Sequence, residues 1–251
     1  MKINVGIVGC GFIGRALKRW LEEHNPSINI LVSDPPKGMN DDVSKADVIF
    51  ISIHIPTEID GTQDLTILKE IINKLPIKKP IFIRTTIIPG TSDKLTKETG
   101  RSVYFMPEFL TERTAYEDFC SQPMVFTAEE ELLSQIFIGK KHIEMTSLEA
   151  EITKYAHNVF GALKVTYFNG IYDLCKRYEA NYRKIQQGIL LSGYINTPHT
   201  QVPGPDGKYG YGGKCFPKDV NALTKMTEGL PIHNILKELQ PLNIEFRGED
   251  K

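Results

Sequence analysis

Ile3-Asn4-Val5-Gly6-Ile7-Val8-Gly9-Cys10-Gly11-Phe12-Ile13-Gly14 opens the chain with a short apolar run, a GxGxxG turn and the start of a helical pattern. Val and Ile in the run suit a strand buried on both faces. The glycines permit a tight turn and let the backbone approach a pyrophosphate, which then sits at the helix N-terminus. From Phe12 to Glu23, Leu17, Trp20 and Leu21 share one helix face. Asp34 follows Gly14 by 20 residues, at the end of a second apolar run, Ile28–Val32. A carboxylate there accepts bonds from an adenosine ribose and repels a 2′-phosphate. Gly9, Gly11, Phe12, Ile13 and Gly14 therefore read as the pyrophosphate side of an NAD site, and Asp34 as its ribose side. Cys10 reads as a small filler in the turn.

Moving outward, Val48–Ile53, Ile81–Ile83, Val103–Phe105, Met124–Thr127 and His142–Glu144 are further strand candidates, and Leu65–Leu75 is a second helix. This alternation predicts an α/β fold, a Rossmann-type doubly wound parallel sheet over residues 1–145. Thr146-Ser147-Leu148-Glu149 then fits a capping box. A proline-free stretch runs from it to about Tyr182, with Ile152, Tyr155, Val159 and Leu163 at helical spacing. Such a length suits either a connector between domains or a dimer surface. Ser192–Gly213 reads as a loop, and helices near Val220–Met226 and Ile232–Leu239 close the chain. Residues 146–251 form the expected helical central domain with its long connecting helix.

With 30 basic and 31 acidic residues, the net charge of −1 offers no basic surface for nucleic acid. No stretch approaches the ~20 apolar residues of a membrane span, and the N-terminus lacks the pattern of a secretory signal. Cys10, Cys120, Cys175 and Cys215 show no CxxC pair and no metal-ligand spacing. No metal is expected, and a cytoplasmic setting with reduced thiols is. Cys120 and Cys175 lack activating neighbours and read as structural.

Gly212-Gly213-Lys214-Cys215-Phe216-Pro217-Lys218-Asp219 is the other informative segment. Pro217 suits the first turn of a helix, which places Cys215 just before its N-terminus. The helix dipole, Lys214 and Lys218 all favour thiolate over thiol there. Asp219 lies one turn on, and the paired glycines leave room for a substrate. Taken alone, the segment suits a buried cysteine beside a helix cap equally well.

Matches spread along the chain bear on that choice. The 212–219 segment, Pro107-Glu108-Phe109-Leu110, Thr86-Ile87-Ile88-Pro89-Gly90-Thr91 and Lys154-Tyr155-Ala156-His157-Asn158 occur in the order found in one enzyme family. Pro56-Thr57 with Asp60-Gly61 through Asp64-Leu65 completes the set. With these motifs the chain resembles the UDP-glucose/GDP-mannose dehydrogenase family, whose members oxidise a sugar-nucleotide primary alcohol to a carboxylate. The resemblance covers residues 1 to about 240. It implies that Cys215 captures the aldehyde left by a first hydride transfer, and that a thiohemiacetal and a thioester follow. Lys154 and Asn158, one helical turn apart, then face the C6 oxygen as an oxyanion pair. Asp219, Glu108 and Thr86 are implied to position water and move protons, with Thr86 also beside the cofactor. Glu108, Phe109, Leu110, Glu112, Lys154, Asn158, Tyr211, Gly212 and Gly213 are the implied substrate contacts. Without the resemblance, Lys154 reads as a surface i,i+4 partner, Asn158 as solvated and Glu108 and Glu112 as surface acids.

Family members continue into a second Rossmann-like domain that holds the nucleotide end of the substrate, and no counterpart precedes Lys251. A homodimer through the long helix is implied, and a partner chain supplying that domain is an alternative source of substrate binding. Met106, Thr111, Arg113 and Gly170 depart from the family's usual Asn, Arg, Gly and acid, which bears on substrate contacts and leaves the nucleophile untouched. The expected activity is NAD-dependent four-electron oxidation of a sugar nucleotide, UDP-glucose first. Two other readings stand beside it: an NAD-binding remnant that pairs with another chain without turnover, and a dehydrogenase of a smaller alcohol.

Overall fold

The computed structural model describes residues 2–58 and 61–248, so Asp60 of the Asp-Gly motif lies outside the described residues. The chain divides into two compact units. One comprises the residues up to Pro56 with Gln63–Lys154, and the other Thr57–Thr62 with the residues from Tyr155 on. The division falls inside the long helix.

The first unit alternates strand and helix in the expected way: β1 (Asn4–Val8), α1 (Phe12–His24), β2 (Asn29–Asp34), β3 (Met39–Asn40), β4 (Val48–Ile51), α2 (Thr66–Lys74), β5 (Ile81–Ile83), α3 (Thr91–Thr99) and β6 (Val103–Phe105). After it come α4 (Ala115–Ser121), β7 (Met124–Phe126), α5 (Glu130–Ile136) and β8 (His142–Glu144). Six strands form one sheet in the order β3-β2-β1-β4-β5-β6, while β7 and β8 pair separately. All pairs are parallel except β2 with the two-residue β3. The central strands are apolar on both sides because both faces are covered. Val5, Ile7, Phe50 and Phe82 pack with Leu17, Trp20 and Phe137 in one cluster, and Ile49, Ile51, Ile81 and Ile83 pack with Leu68, Ile72 and Leu95 in another. The doubly wound parallel sheet is thus present, and the strand order reverses between β1 and β4, where such sheets bind ligands.

α6 (Ser147–Arg177) begins at the capping box. Thr146 Oγ1 accepts from Glu149 N at 3.3 Å, and Glu149 Oε2 accepts from Thr146 N at 2.7 Å. The helix stops at Arg177, and the chain turns at Glu179 (φ 51°) before α7 (Tyr182–Leu190). In the second unit, α8 (Phe216–Met226), α9 (His233–Leu236) and α10 (Leu239–Arg247) follow a long irregular segment. Val159 and Ala162 of α6 pack with Tyr211, Val220, Leu236 and Leu239 in a small core. Among the described residues, no helix is long and apolar enough to cross a membrane.

Candidate active site

The turn after β1 has the shape that its glycines demand. Gly9 has φ +86°, and a Cβ there would lie 2.6 Å from Ser52 O. A Cβ on Gly14 would lie 2.1 Å from Gly9 O, so any larger residue would push α1 off the turn. At Gly11, the residue before α1, a Cβ would meet nothing within 4 Å, which leaves the backbone open to a ligand. Phe12, Ile13 and Gly14 sit in the first turn of α1, where backbone N–H groups lack intrahelical partners and are suited to an anion.

Asp34 ends β2, and its Oδ2 accepts from Cys10 N at 2.7 Å and from Lys37 Nζ at 2.8 Å. Lys37 also donates to Cys10 O at 2.9 Å, tying the acid to the turn. The bond from Lys37 and, secondarily, that from the Cys10 N–H hold the Asp34 carboxyl below the usual carboxylate range, against the opposing effect of burial. Oδ1 of Asp34 makes neither of these bonds. These groups fit NAD: an open turn for the diphosphate and an anion at the ribose. Lys37 escaped the sequence reading, although Asp-Pro-Pro-Lys-Gly already implied a one-turn 3₁₀ segment that brings it back to Asp34. Burial pushes the Cys10 thiol up, in keeping with a filler role. Asp34→Asn removes a charge-assisted acceptor, for which a loss of NAD affinity of about tenfold or more is expected. Unchanged affinity in a titration would refute the ribose role.

Four of the polar residues singled out by sequence are buried in two pairs. In the first unit, Lys154 (4% exposed) donates to Glu108 (7%), with Nζ 3.0 Å from Oε1 and a further bond to Glu108 O. Oε2 of Glu108 accepts from Leu110 N at 2.7 Å, and Lys154 lies 5.5 Å from the Phe109 ring centroid. In the second unit, Asn158 (5%) donates through Nδ2 to Oδ2 of Asp219 (0%) at 2.7 Å. Lys218 bonds the other carboxylate oxygen of Asp219. Surface roles for Lys154, Asn158 and Glu108 are therefore excluded. Glu112, in contrast, is exposed on a single 3₁₀ turn.

Thr86 is buried in the loop after β5. Gln63 pins that loop by donating to Thr86 O and accepting from Ile88 N, both at 3.0 Å. Cys215 is exposed and occupies the N-cap of α8, where its thiol does not serve as the cap; Pro217 lies in the first turn. The Phe216 ring occupies the space above Gly161 of α6, where a Cβ would come within 2.7 Å of Cζ, and this seats the start of α8. Gly61 (φ +85°) approaches α8 as closely, since a Cβ there would lie 2.5 Å from Ala222 Cα.

Tyr211 is buried, with its backbone held at both ends by Asn243: Oδ1 accepts from Tyr211 N at 2.6 Å and Nδ2 donates to Tyr211 O at 3.0 Å. The space that a side chain on Gly212 would need is filled by the Arg247 guanidinium, 2.6 Å from the Cβ position. That glycine thus makes room for an arginine. Of the paired glycines, Gly213 (φ +76°) is the one open on its Cβ side. Tyr211, Gly212, Gly213 and Pro217 line a cavity of about 420 Å³ with Asn243 and Arg247. Neither Asn243 nor Arg247 carried a sequence signal, because each acts only through contacts made by folding.

Elsewhere, Glu130, His142 and Glu144 bring one ligand atom each within 4.8 Å of one another, but both acids face solvent and His142 lies 3.6 Å from Glu130 as an ordinary pair. Of the cysteines read as structural, Cys175 is buried and Cys120 exposed.

Residues 35–138 match the NAD binding domain, and residues 148–244 the central domain, of the UDP-glucose/GDP-mannose dehydrogenase family. UDP-glucose 6-dehydrogenase of Rickettsia typhi is 31% identical over 220 residues, 80% of this chain and 50% of that protein. GDP-mannose 6-dehydrogenase of Pseudomonas aeruginosa is 31% identical over 228 residues, 80% and 51% of the two chains. The chain spans about half the length of the curated relatives it matches. A solved UDP-glucose dehydrogenase from Pyrobaculum islandicum shares the fold, with a TM-score of 0.80 at 23% identity over 98% of this chain and 68% of that one. With its NAD binding and central domains both matched, the chain belongs to the UDP-glucose/GDP-mannose dehydrogenase family.

Proposed function

We propose that the chain carries out the NAD-dependent four-electron oxidation of a sugar nucleotide, UDP-glucose to UDP-glucuronate first among the candidates. The observation that carries this reading is the burial and pairing of Lys154 with Glu108 and of Asn158 with Asp219. Such desolvated, hydrogen-bonded groups are what oxyanion stabilisation and proton transfer require. NAD, when bound, accepts the hydride removed at each oxidation, so one carboxylate needs two equivalents. Gly9, Gly11, Phe12, Ile13, Gly14 and Asp34 would hold it, with Thr86 nearby.

Cys215 adds through sulfur to the aldehyde carbon left by the first oxidation, forming a C–S bond and an alkoxide. Lys154 and Asn158 stabilise that oxygen and take up its charge by hydrogen bonding. The thiohemiacetal loses a hydride and a proton to become a thioester. Water then cleaves the C–S bond, releasing the acid and restoring the thiol, with Asp219, Glu108 and Thr86 positioning the water and moving its protons. Glu108, Phe109, Leu110, Lys154, Asn158, Tyr211, Gly212 and Gly213 remain the proposed substrate contacts. Exposure leaves Glu112 able to act only at the rim.

The test is NADH appearance at 340 nm with UDP-glucose and NAD. Two NADH per sugar are expected. No NADH from a folded, NAD-binding protein would move the reading to another sugar nucleotide, to a required partner chain, or to an NAD-binding chain without turnover.

We also propose a homodimer through the long helix. Phe160, Tyr167 and Leu174, seven residues apart on α6, are exposed large apolar side chains along one stripe. Light scattering at micromolar concentration is expected to give twice the chain mass, and a monomer would sink this part.

A further inference from the structure

Arg84 follows the last residue of β5, and its N–H donates to Ile51 O at 2.8 Å. Its side chain is among the largest fully buried ones, yet Nε and Nη1 have no hydrogen-bond partner. Buried donors are nearly always satisfied, and a buried charge without a partner is costlier still. The guanidinium carbon lies 5.2 Å from the Phe119 ring centroid, a contact that tempers the charge and leaves both donors open. Burial lowers its pKa to about 10, so Arg84 is a cation at neutral pH. A cavity of about 20 Å³, lined by Arg84, Glu108, Phe109, Phe119 and Gln122 among others, has room for one water. A water satisfies a donor but does not compensate the charge.

The charge acting favourably on Arg84 is that of Glu108. That carboxylate is already engaged, with Lys154 on Oε1 and Leu110 N on Oε2. Lys140, whose ammonium lies 5.3 Å from the same Phe119 ring, adds positive charge and offers Arg84 no relief. One buried carboxylate therefore serves two buried cations. Lys154 is also the cation assigned above to the substrate oxygen, and it cannot neutralise Glu108 and hold an alkoxide at full strength together. A guanidinium with two open N–H groups, lining the same small cavity as Glu108, resolves that conflict.

We propose that Arg84 is a positioning residue that takes over the Glu108 carboxylate when Lys154 turns to the substrate oxygen. The assignment rests on the dehydrogenase reading, but its pairing can be tested without turnover. Arg84→Met is made in the wild type and in Glu108→Gln, with Arg84→Lys as the conservative variant. In the wild type, Arg84→Met strips Glu108 of one cation and is expected to lower Tm by about 3 °C or more. In the Glu108→Gln background the same change removes an uncompensated charge, and Tm is expected to rise. A shift of equal size and sign in both backgrounds would mean that Arg84 merely fills space, and would overturn the proposal.

The kinetic arm reads Lys154. Arg84→Met is expected to lower kcat about tenfold with KM for the sugar nucleotide within twofold, since the lost interaction acts in the transition state. Arg84→Lys should recover most of that loss, and in Glu108→Gln the additional cost of Arg84→Met should vanish. An unchanged kcat in Arg84→Met, or an undiminished cost without the Glu108 charge, would refute the relay. If the wild type makes no NADH with UDP-glucose, the stability cycle alone decides whether Arg84 and Glu108 pair.

Discussion

Cys215→Ala is expected to reduce carboxylate formation by at least about 10³-fold, the scale on which removing a nucleophile acts, while NAD affinity stays within a few-fold of wild type. The two effects separate because the groups reside in different units. Gly9, Gly14 and Asp34 belong to the first, whereas Cys215 stands at the N-cap of α8 in the second. The thiol makes no capping bond for alanine to lose, so the start of α8 should keep its position. Phe216 over Gly161 holds the same end of the helix independently of residue 215. Acid is quantified by chromatography after incubation with UDP-glucose and NAD, and NAD binding by calorimetry. Wild-type levels of acid would remove Cys215 from the mechanism. Loss of acid together with NAD binding would indicate misfolding and leave its role undecided by this variant, and Cys215→Ser would then be the variant to measure.

Glu151→Ala is expected to destabilise the first unit by about 3 kcal/mol, from leaving several buried donors unsatisfied. Glu151 is fully buried on α6 and closes the start of α3. Its Oε1 accepts from Ser92 N at 3.0 Å and from Ser92 Oγ at 2.6 Å, and its Oε2 accepts from Gly90 N. Gly90 sits at the N-cap of α3 in a left-handed conformation (φ +88°), with no side chain to satisfy the helix end. A carboxylate brought from 61 residues away does so and also meets the positive end of the helix dipole. A Tm drop of roughly 6–12 °C follows from that energy for a chain of this size. A shift below about 2 °C, within the effect of an ordinary surface substitution, would show that the α3 terminus is satisfied by other means. The Pro-Gly-Thr motif, read from sequence as a family mark, thus includes a glycine kept for a helix start.

The elements legible in the sequence are those specified locally. β1, α1 and the GxGxxG turn were readable because a buried strand, an amphipathic helix and φ > 0 each impose a residue type at a fixed spacing. The capping box was readable for the same reason, since both partners lie within one turn. The two-residue β3, the short α4 and α5, and the break between α6 and α7 were not. Elements so short carry too few apolar positions for a period to show. At the site, Cys215 ahead of Pro217 and Asp34 at the end of β2 followed from spacing. The burial of Lys154, Asn158 and Glu108 did not, and local sequence alone favoured exposure for all three.

By itself the sequence determined the doubly wound sheet, the dinucleotide turn and the order of the motifs that mark the family. These rest on periodicity, backbone conformation and residue type, which are properties of neighbours along the chain. Only the tertiary structure decided which charges are paired and which are left over. Glu108 meets Lys154 across 46 residues, Asn158 meets Asp219 across 61, and Arg84 is left buried with open donors. It also decided why Gly212 is a glycine, since Arg247, 35 residues on, fills the space of its side chain. Desolvation and pairing depend on what folding brings together in space, and no local pattern encodes a partner dozens of residues away.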